Sequence, residues 1–508
     1  MKNPLIPLFG LATLVSCANK ENQPLPTHKP NIVIIYCDDL GYGDVGYNGA
    51  RGVQTPNIDS LAVNGLVFTD AHCSAATCTP SRYSLLTGSY AFRNNAAVLP
   101  GDAPLIIDPA KGSLPSMLQK AGYKTGVIGK WHLGLGRGEV DWNREISPGP
   151  REIGFDYSFL IPATADRVPC VFIEDQAVAG LDPSDPIEVS YQKDFGYYPN
   201  GLEHPEMLKM QADTQHSCTI VDSVSRIGYM KGGRTALWKD ENFPLVLTTK
   251  ARKFMHENQN QPFFLYFALS DIHVPRMPNH RFVGKSTMGR RGDDIVQTDW
   301  CTGQIMRALR ALGLEKNTLV IFSSDNGPIL DDGYNDQAVE LLGHHKPAGP
   351  FRGSKYSAYE AGTRMPTIVY WPGVVKPGTS NALLSQVDLY ASLAELTGQK
   401  LGPDDAPDSH ALLDAWLGRS EKGRQVMLEE AFTLSLRDGN WKYIEPVKQA
   451  TPQWMKNKNV ESGVSGEKQL YNLKDDPAEH VNVADKYPGK IAEMQQRLEE
   501  IRKKGERR

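Results

Sequence analysis

The chain has 508 residues, more than one compact core ordinarily holds, which predicts one large domain with a smaller one appended. Its 55 Lys and Arg against 59 Asp and Glu leave a net charge of -4, and this near-balance excludes the basic footprint of a nucleic-acid-binding protein. Apolar and charged fractions of 40% and 22% are those of a soluble globular protein, so an anionic substrate has to be met by a local cluster of Lys, Arg and His.

The first residues are not expected to join the fold. Lys2 precedes a short apolar run, Leu5 to Val15, too short to cross a bilayer as a helix, which closes on Leu14-Val15-Ser16-Cys17. That tetrapeptide resembles the lipobox of bacterial lipoproteins and implies cleavage before a lipid-modified Cys17; an ordinary cleaved signal peptide is the alternative. Residues 1–17 therefore read as a lipoprotein signal peptide and 18–30 as a polar tether. This places the protein in the bacterial cell envelope, periplasmic or outer-membrane-anchored, with the lipid on Cys17 as its sole membrane attachment.

Asn31-Ile32-Val33-Ile34-Ile35-Tyr36-Cys37 is continuously apolar and β-branched, as a central parallel strand covered on both faces requires. It runs into Asp38-Asp39, adjacent carboxylates that repel each other and are costly to bury unless a cation lies between them. Hard oxygen ligands of this kind suit Ca²⁺ or Mg²⁺; a solvated turn is the plainer reading of the pair by itself. Thr55 to Ala62 offers an N-cap, a Pro at the first helical position and an apolar face, predicting a helix that leads into Gly65. Cys78-Thr79-Pro80-Ser81-Arg82-Tyr83-Ser84-Leu85-Leu86-Thr87-Gly88 predicts another, with Pro80 in the first turn and Gly88 as the left-handed residue that ends it. Cys78 then sits at the positive helix end beside Arg82, where a nucleophile or bound anion gains most from unpaired N–H groups. The competing reading is a small buried thiol.

Ser113-Leu114-Pro115 opens a helix closing near Gly122, and Tyr123 to Gly129 is a second buried strand, ending in Lys130-Trp131-His132. Residues 140 to 240 lack a period and read as long functional loops, in which Asp166-Arg167-Val168-Pro169 and Arg226 to Gly233 are either surface turns or substrate contacts. Leu245 to His256 is helical; Pro262 to Leu269 is a third strand leading to Ser270-Asp271-Ile272-His273. Val296 to Leu312 has helical spacing, and Thr318 to Phe322 is a fourth strand running into Asp325-Asn326-Gly327. In an open α/β sheet, ligands bind outside the C-terminal strand ends, so the polar residues after these strands are expected to converge on one pocket.

Asp331 to Pro350, with His344-His345-Lys346, reads as a surface loop or a lip over that pocket, and Thr367 to Trp371 as a further strand. Ser385 to Tyr390 opens a helix ending near Gly398. A shift to Pro, Asp and Gly at Gly398 to Ser409 divides a domain of residues 31–400 from a C-terminal unit of 401–508. That unit carries short strands at Gln425 to Glu430, Trp441 to Ile444 and Leu470 to Leu473, then a charged amphipathic helix, Ile491 to Lys504. Cys37, Cys73, Cys170, Cys218 and Cys301 show no CxxC spacing and read mostly as buried thiols, with one unassigned disulfide allowed.

The run from Cys78 through Pro80, Ser81, Arg82, Thr87 and Gly88 resembles the signature of the type I sulfatases at every fixed position, and the other motifs follow in that family's order over most of residues 31 to 490. The resemblance implies an alkaline-phosphatase-like α/β sandwich: a large mixed, mostly parallel sheet flanked by helices, plus a small C-terminal α/β subdomain. It implies that a formylglycine-generating maturase oxidises Cys78 to Cα-formylglycine. It further implies one Ca²⁺ held by Asp38, Asp39, Asp325, Asn326 and residue 78, with Lys130 and Lys355 on the sulfate. Arg82 would hold the hydrated aldehyde, His132 would partner it, and His273 would be the acid and a substrate ligand. An unmodified thiol could not expel sulfate as the hydrated aldehyde can.

Likeness to bacterial N-acetylgalactosamine and galactose sulfatases points to exo-action on those sulfated sugars in mucin or glycosaminoglycan, the 6-position ahead of the 4-position, with Asp166 and Arg167 recognising the sugar. A phosphomonoester or phosphonate hydrolase of the same fold is one alternative, although such relatives carry Ser or Thr nucleophiles and two metals. A non-catalytic lipoprotein that captures sulfated glycan is the other, and the complete catalytic set speaks against it.

Overall fold

β1 (Asn31–Cys37) is buried along its whole length, which is why its sequence shows no alternation. The computed structural model describes residues 28–448, Met455, Lys458 and 460–506, so the signal peptide, Cys17 and the tether up to residue 27 lie outside the described residues. A ten-stranded sheet surrounds β1. Its other strands in chain order are β2 (Leu66–Phe68), β3 (Lys124–Lys130), β4 (Tyr157–Ile161), β5 (Ile173–Glu174), β6 (Ala177–Val178), β7 (Phe263–Ala268), β8 (Thr318–Ser324), β9 (Thr367–Tyr370) and β10 (Gly378–Ser380).

The spatial order is β10-β2-β9-β8-β1-β7-β3-β4-β5-β6. The run β8-β1-β7-β3-β4 is parallel, and antiparallel pairing enters where β9 joins β8 and β2 and where β5 joins β4 and β6. Register matters most for the site. Cys37 lies opposite Ser324, Tyr36 opposite Ala268, and Ala268 opposite Gly129, so the C-terminal ends of four neighbouring strands finish almost level. The helices pack as two groups, α1 (Pro56–Asn64) with α4 (Phe243–Glu257) and α5 (Gly289–Ala311), and α2 (Cys78–Thr87) with α3 (Leu114–Lys120) and α6 (Leu389–Thr397). This is the alkaline-phosphatase-like α/β sandwich.

The C-terminal unit is an antiparallel sheet of β11 (Val426–Glu430), β12 (Leu434–Asp438), β13 (Trp441–Ile444) and β14 (Gln469–Asn472), covered by α7 (Pro488–Glu506). Leu428, Leu436, Tyr443 and Leu470 meet Ile491, Met494 and Leu498 in its own core. The large core runs on through Leu413 to Leu417, where Trp416 packs 5.6 Å from Phe68, so membership changes hands past the composition shift at Gly398 to Ser409.

The elements that escape the sequence pattern include β4, β12 and the start of α5. β4 is a short strand inside the loop-rich stretch, and β12 ends in Arg437 and Asp438, charges that look solvent-facing but are buried. α5 begins at Gly289 because its first turns bury Arg291, Asp293 and Asp294, polar side chains that mask the apolar period before Val296.

Arg437 belongs to a buried ionic network that joins the two units. Asp70, His72 and Glu360 of the large unit meet Glu429, Arg437, Lys442 and Glu479 of the small one. Lys442 Nζ lies 3.0 Å from Glu360 and 3.3 Å from Glu429, Arg437 lies 2.7 Å from Asp70, and His72 sits between Asp70 at 2.9 Å and Glu429 at 3.1 Å. Burial pushes the Glu360 carboxyl up, but Lys442, Arg364 and Arg437 outweigh it and hold the group well below the usual carboxylate range. Burial disfavours a charged His72, yet Asp70, Glu429 and Glu360 raise it, while burial and Glu360 raise Glu479.

The lowered Glu360 contributes stability that is present above the usual carboxylate range and is lost as pH falls through its depressed folded value. The raised His72 and Glu479 contribute stability that is full below their unfolded values and is lost as pH rises through their folded ones. The melting temperature is therefore expected to peak at mildly acidic pH, and Glu479→Gln should flatten its fall on the alkaline side. An unchanged alkaline limb in that variant would remove Glu479 from the account.

Candidate active site

Asp38 and Asp39 leave β1 in a turn that aims consecutive carboxylates into one site, and Asp39 takes φ 60 to do so. Neighbouring strand ends fix the turn: Asp38 N donates to Asp271 O at 3.0 Å, Ile272 N to Asp38 O at 2.7 Å, and Leu40 N to Ser324 Oγ at 3.0 Å. Asp325 and Asn326 arrive from β8, and all four of these side chains are fully buried. Lys130, the last residue of β3, donates to Asp38 Oδ2 at 2.6 Å, while Lys355 donates to Asp39 at 3.0 Å and to Asp332 at 3.1 Å. The expected convergence of strand ends is what the structure shows.

Burial raises Asp38 well above the usual carboxylate range, with Lys130 opposing. Asp325 goes the other way, since Arg82, Lys130 and Lys355 together outweigh its burial. Arg82 spends its guanidinium on Asp325, at 2.7 and 2.8 Å, over the Tyr36 ring at 5.4 Å. From there it holds a carboxylate of the site in place.

α2 begins at Cys78 and ends on Gly88 at φ 64, whose N–H reaches Ser84 O. Cys78 Sγ lies 3.3 Å from His132 Nδ1. Because His132 Nε2 donates to Leu99 O at 2.8 Å, Nδ1 is the bare nitrogen that faces residue 78. Burial raises the Cys78 thiol, only partly countered by Lys130 and Lys355, so the unmodified side chain is a protonated thiol and a poor nucleophile. Burial with Lys130 and Arg167 keeps His132 neutral. His273 donates Nδ1–H to Val274 O at 2.7 Å, leaving Nε2 bare, and burial with Lys355 lowers its pKa to about 4.

Cys78, His273 and Lys355 line a pocket of about 340 Å³ together with Asp166 and Arg167, at the small end for a ligand site. Arg167 pairs with Asp166 at 2.9 Å, and the chain of charges continues through His216, 3.4 Å from Asp166 and 2.7 Å from Asp213. This row offers donors and acceptors in alternation, as sugar hydroxyls need. His216, Asp332, Lys458, Tyr356 and Phe432 also line the pocket and carry no sequence signal beyond Asp332 lying in the loop read as a lip.

Elsewhere in that loop His345 is buried against Asp44 at 2.8 Å, behind the Asp38 turn. Arg226 proves structural: it is buried, 2.6 Å from Asp240, and holds Ala165 O beside Asp166, although its neighbour Ile227 does reach the pocket. The six described cysteines are all free thiols.

One oxygen of each of Asp38, Asp39 and Asp325 lies within 4.8 Å of the others, and Asp38 Oδ1 and Asn326 Oδ1 are buried with no hydrogen-bond partner. Orphaned buried oxygens among acids fit a hard divalent cation. The other close acidic groups, Asp39 with His273 and Asp332 and Asp70 with His72 and Glu360, differ in leaving no buried side-chain oxygen without a hydrogen-bond partner.

Residues 30–399 match the sulfatase family model. The chain is 49% identical over 506 residues to the N-acetylgalactosamine-6-O-sulfatase of Bacteroides thetaiotaomicron, with 98% of each covered. It is 30% identical to human arylsulfatase A, covering 93% of this chain and 87% of that one. A solved structure from work on glycosaminoglycan metabolism by Bacteroides thetaiotaomicron superposes with a TM-score of 0.91 at 50% identity, covering 93% of this chain and 99% of its own.

Proposed function

Since this chain belongs to the sulfatase family and is a sulfuric ester hydrolase, we propose that it removes the 6-sulfate from terminal N-acetylgalactosamine, or the closely similar galactose, in glycosaminoglycan or mucin glycans. The observation that carries this reading is one small pocket lined at once by Cys78, Lys355 and His273 and by the Asp166–Arg167–His216 row. The first group suits a sulfate ester and the second a single sugar. The similarity to the Bacteroides thetaiotaomicron N-acetylgalactosamine-6-O-sulfatase supports the choice of sugar and position.

In this reading Asp38, Asp39, Asp325 and Asn326 would hold Ca²⁺, and Cys78 would act as formylglycine. Such an ion would offset charge on the sulfate oxygens, and the hydrated aldehyde would supply one hydroxyl as nucleophile and a second to expel sulfate. The chain's own groups do the rest. The Lys130 and Lys355 ammonium groups face the sulfate as negative charge shifts in the transition state, a preorganised arrangement that is usually the largest catalytic term. Bare His132 Nδ1 takes the proton of the residue-78 hydroxyl. His273 Nε2 faces the pocket, and an anionic ester beside it offsets the two lysines and favours the protonated form that the departing sugar oxygen needs.

Export and a lipid anchor on Cys17 complete the proposal and would bring the pocket to extracellular glycan.

Chromatography of defined 2-, 3-, 4- and 6-sulfated mono- and oligosaccharides tests the reading. Free N-acetylgalactosamine 6-sulfate and chain-terminal 6-sulfates are expected to be desulfated, while internal sulfates persist. Turnover confined to the 4-sulfate, or to phosphate esters, would overturn it.

A further inference from the structure

Phe432 is an exposed aromatic residue in an unfavourable backbone state. It sits in the turn between β11 and β12, 45% exposed, at φ 56, and none of the hydrophobic cores includes it. A bulky side chain in the left-handed region is a backbone outlier, and such outliers persist where the surroundings over-determine them, often at ligand sites. Tyr356, its ring centroid 6.2 Å away, takes φ 70. Both line the pocket, and two further non-glycine left-handed residues, Asp39 and His132 at φ 60 and 56, touch its Lys355 and Cys78 from behind.

The turn is mounted on the nucleophile's own approach loop. Glu430 N donates to Ser74 O at 3.0 Å, Ala76 N donates to Glu430 O at 2.8 Å, and Tyr356 N donates to Ala76 O at 2.8 Å. Ala431 N closes the turn on Thr433 O at 2.9 Å. Phe432 and Tyr356 are therefore both tied by main-chain bonds to the segment two residues before Cys78. With Ala97, Val98 and Ile227 they give a pocket otherwise lined by charges an apolar portion.

A sulfate, a cation and a row of hydroxyl-binding groups have no use for an exposed phenyl ring. A pyranose ring does, because its C–H groups gather on one face, most of all in galacto sugars, whose axial 4-hydroxyl leaves the opposite face apolar. We propose that Phe432, backed by Tyr356, is the platform on which that C–H face lies, so that the small C-terminal unit supplies part of sugar recognition. Aromatic rings present a negative face that suits weakly positive C–H groups. This rests on the sugar-sulfatase reading and adds to it a specificity residue on an element remote in sequence from Cys78.

The test uses full-length enzyme with Phe432→Asn and Phe432→Trp. Asn tolerates the left-handed region, so Phe432→Asn should keep or raise the melting temperature while raising KM about tenfold, with kcat within about twofold. Phe432→Trp, which keeps an aromatic face, should leave KM near the wild-type value. Binding of unsulfated N-acetylgalactosamine, followed by saturation-transfer NMR, should weaken in parallel in Phe432→Asn, and its preference over N-acetylglucosamine should shrink. Inhibition by inorganic sulfate should not change. An unaltered KM with a lowered melting temperature would assign Phe432 to packing and overturn the platform, as would unaltered sugar binding. The binding arm needs no turnover, so it judges the platform even if the wild type fails on the sulfated panel and the functional reading falls.

Discussion

Cys78→Ala is expected to abolish sulfate-ester turnover while leaving the melting temperature and sugar binding nearly unchanged. Residue 78 opens α2 with its side chain 2% exposed, and Ala is a good helix former of smaller volume, so the helix and its Gly88 stop survive. What disappears is the one side chain positioned against His132 Nδ1 at 3.3 Å. Losing a nucleophile costs on the order of 10⁴–10⁶ in kcat. Retained activity would refute the assignment. Intact-mass measurement of active wild type from its native host tests both proposed modifications: a mass loss is expected for thiol-to-aldehyde conversion at Cys78 and a gain for lipid on Cys17. An active preparation with an unconverted Cys78 would sink the formylglycine mechanism, since burial keeps that thiol protonated.

Removing divalent metal carries the second large effect. Asp38, Asp39 and Asp325 crowd within 4.8 Å with two buried oxygens unpartnered nearby, so a chelator should lower both turnover and melting temperature, and added Ca²⁺ should return both. A lost cation removes several kcal/mol of transition-state stabilisation, on the order of 10³-fold or more in rate. The gain in melting temperature should grow with Ca²⁺ concentration, as for any ligand that binds only the folded state. Asp38→Asn should weaken that Ca²⁺ response. Full activity after exhaustive chelation would remove the metal from the mechanism.

How much of this was legible depended on the kind of element. β1, β7 and β8 are buried on both faces and betrayed by their apolar runs, β3 less plainly because Thr125 and two glycines interrupt its run, and the polar residue at each end stood out by contrast. Their parallel pairing then brought Asp38, Lys130, His273 and Asp325 together without further information. α2 was readable to the residue because Pro80 and Gly88 are strong punctuation.

The pocket wall was harder. Asp166 and Arg167 could be singled out as an adjacent opposite pair, but His216, Lys458, Tyr356 and Phe432 sit in turns and loops where no period marks them. Arg226 looked equally like a substrate contact until Asp240 was seen to claim it. β12 was hidden for a related reason, since Arg437 reads as surface until Asp70 and Glu360 are placed against it.

The burial of Cys78 also sets a schedule. A modifying enzyme must reach the side chain, and in the folded protein it is 2% exposed at the start of a helix whose other residues are buried through Leu86. Under the formylglycine reading proposed above, conversion therefore has to come first and folding second. Chain order leaves room for this, because β3, β7 and β8, which build the floor of the site, are all synthesised after residue 78. Until β8 arrives, β1 lacks one of its two neighbours, and the nucleophile segment remains an accessible peptide. Slow assembly of a sheet with such distant partners lengthens that interval, so the rate of folding, set against the rate of oxidation, fixes the fraction of active molecules.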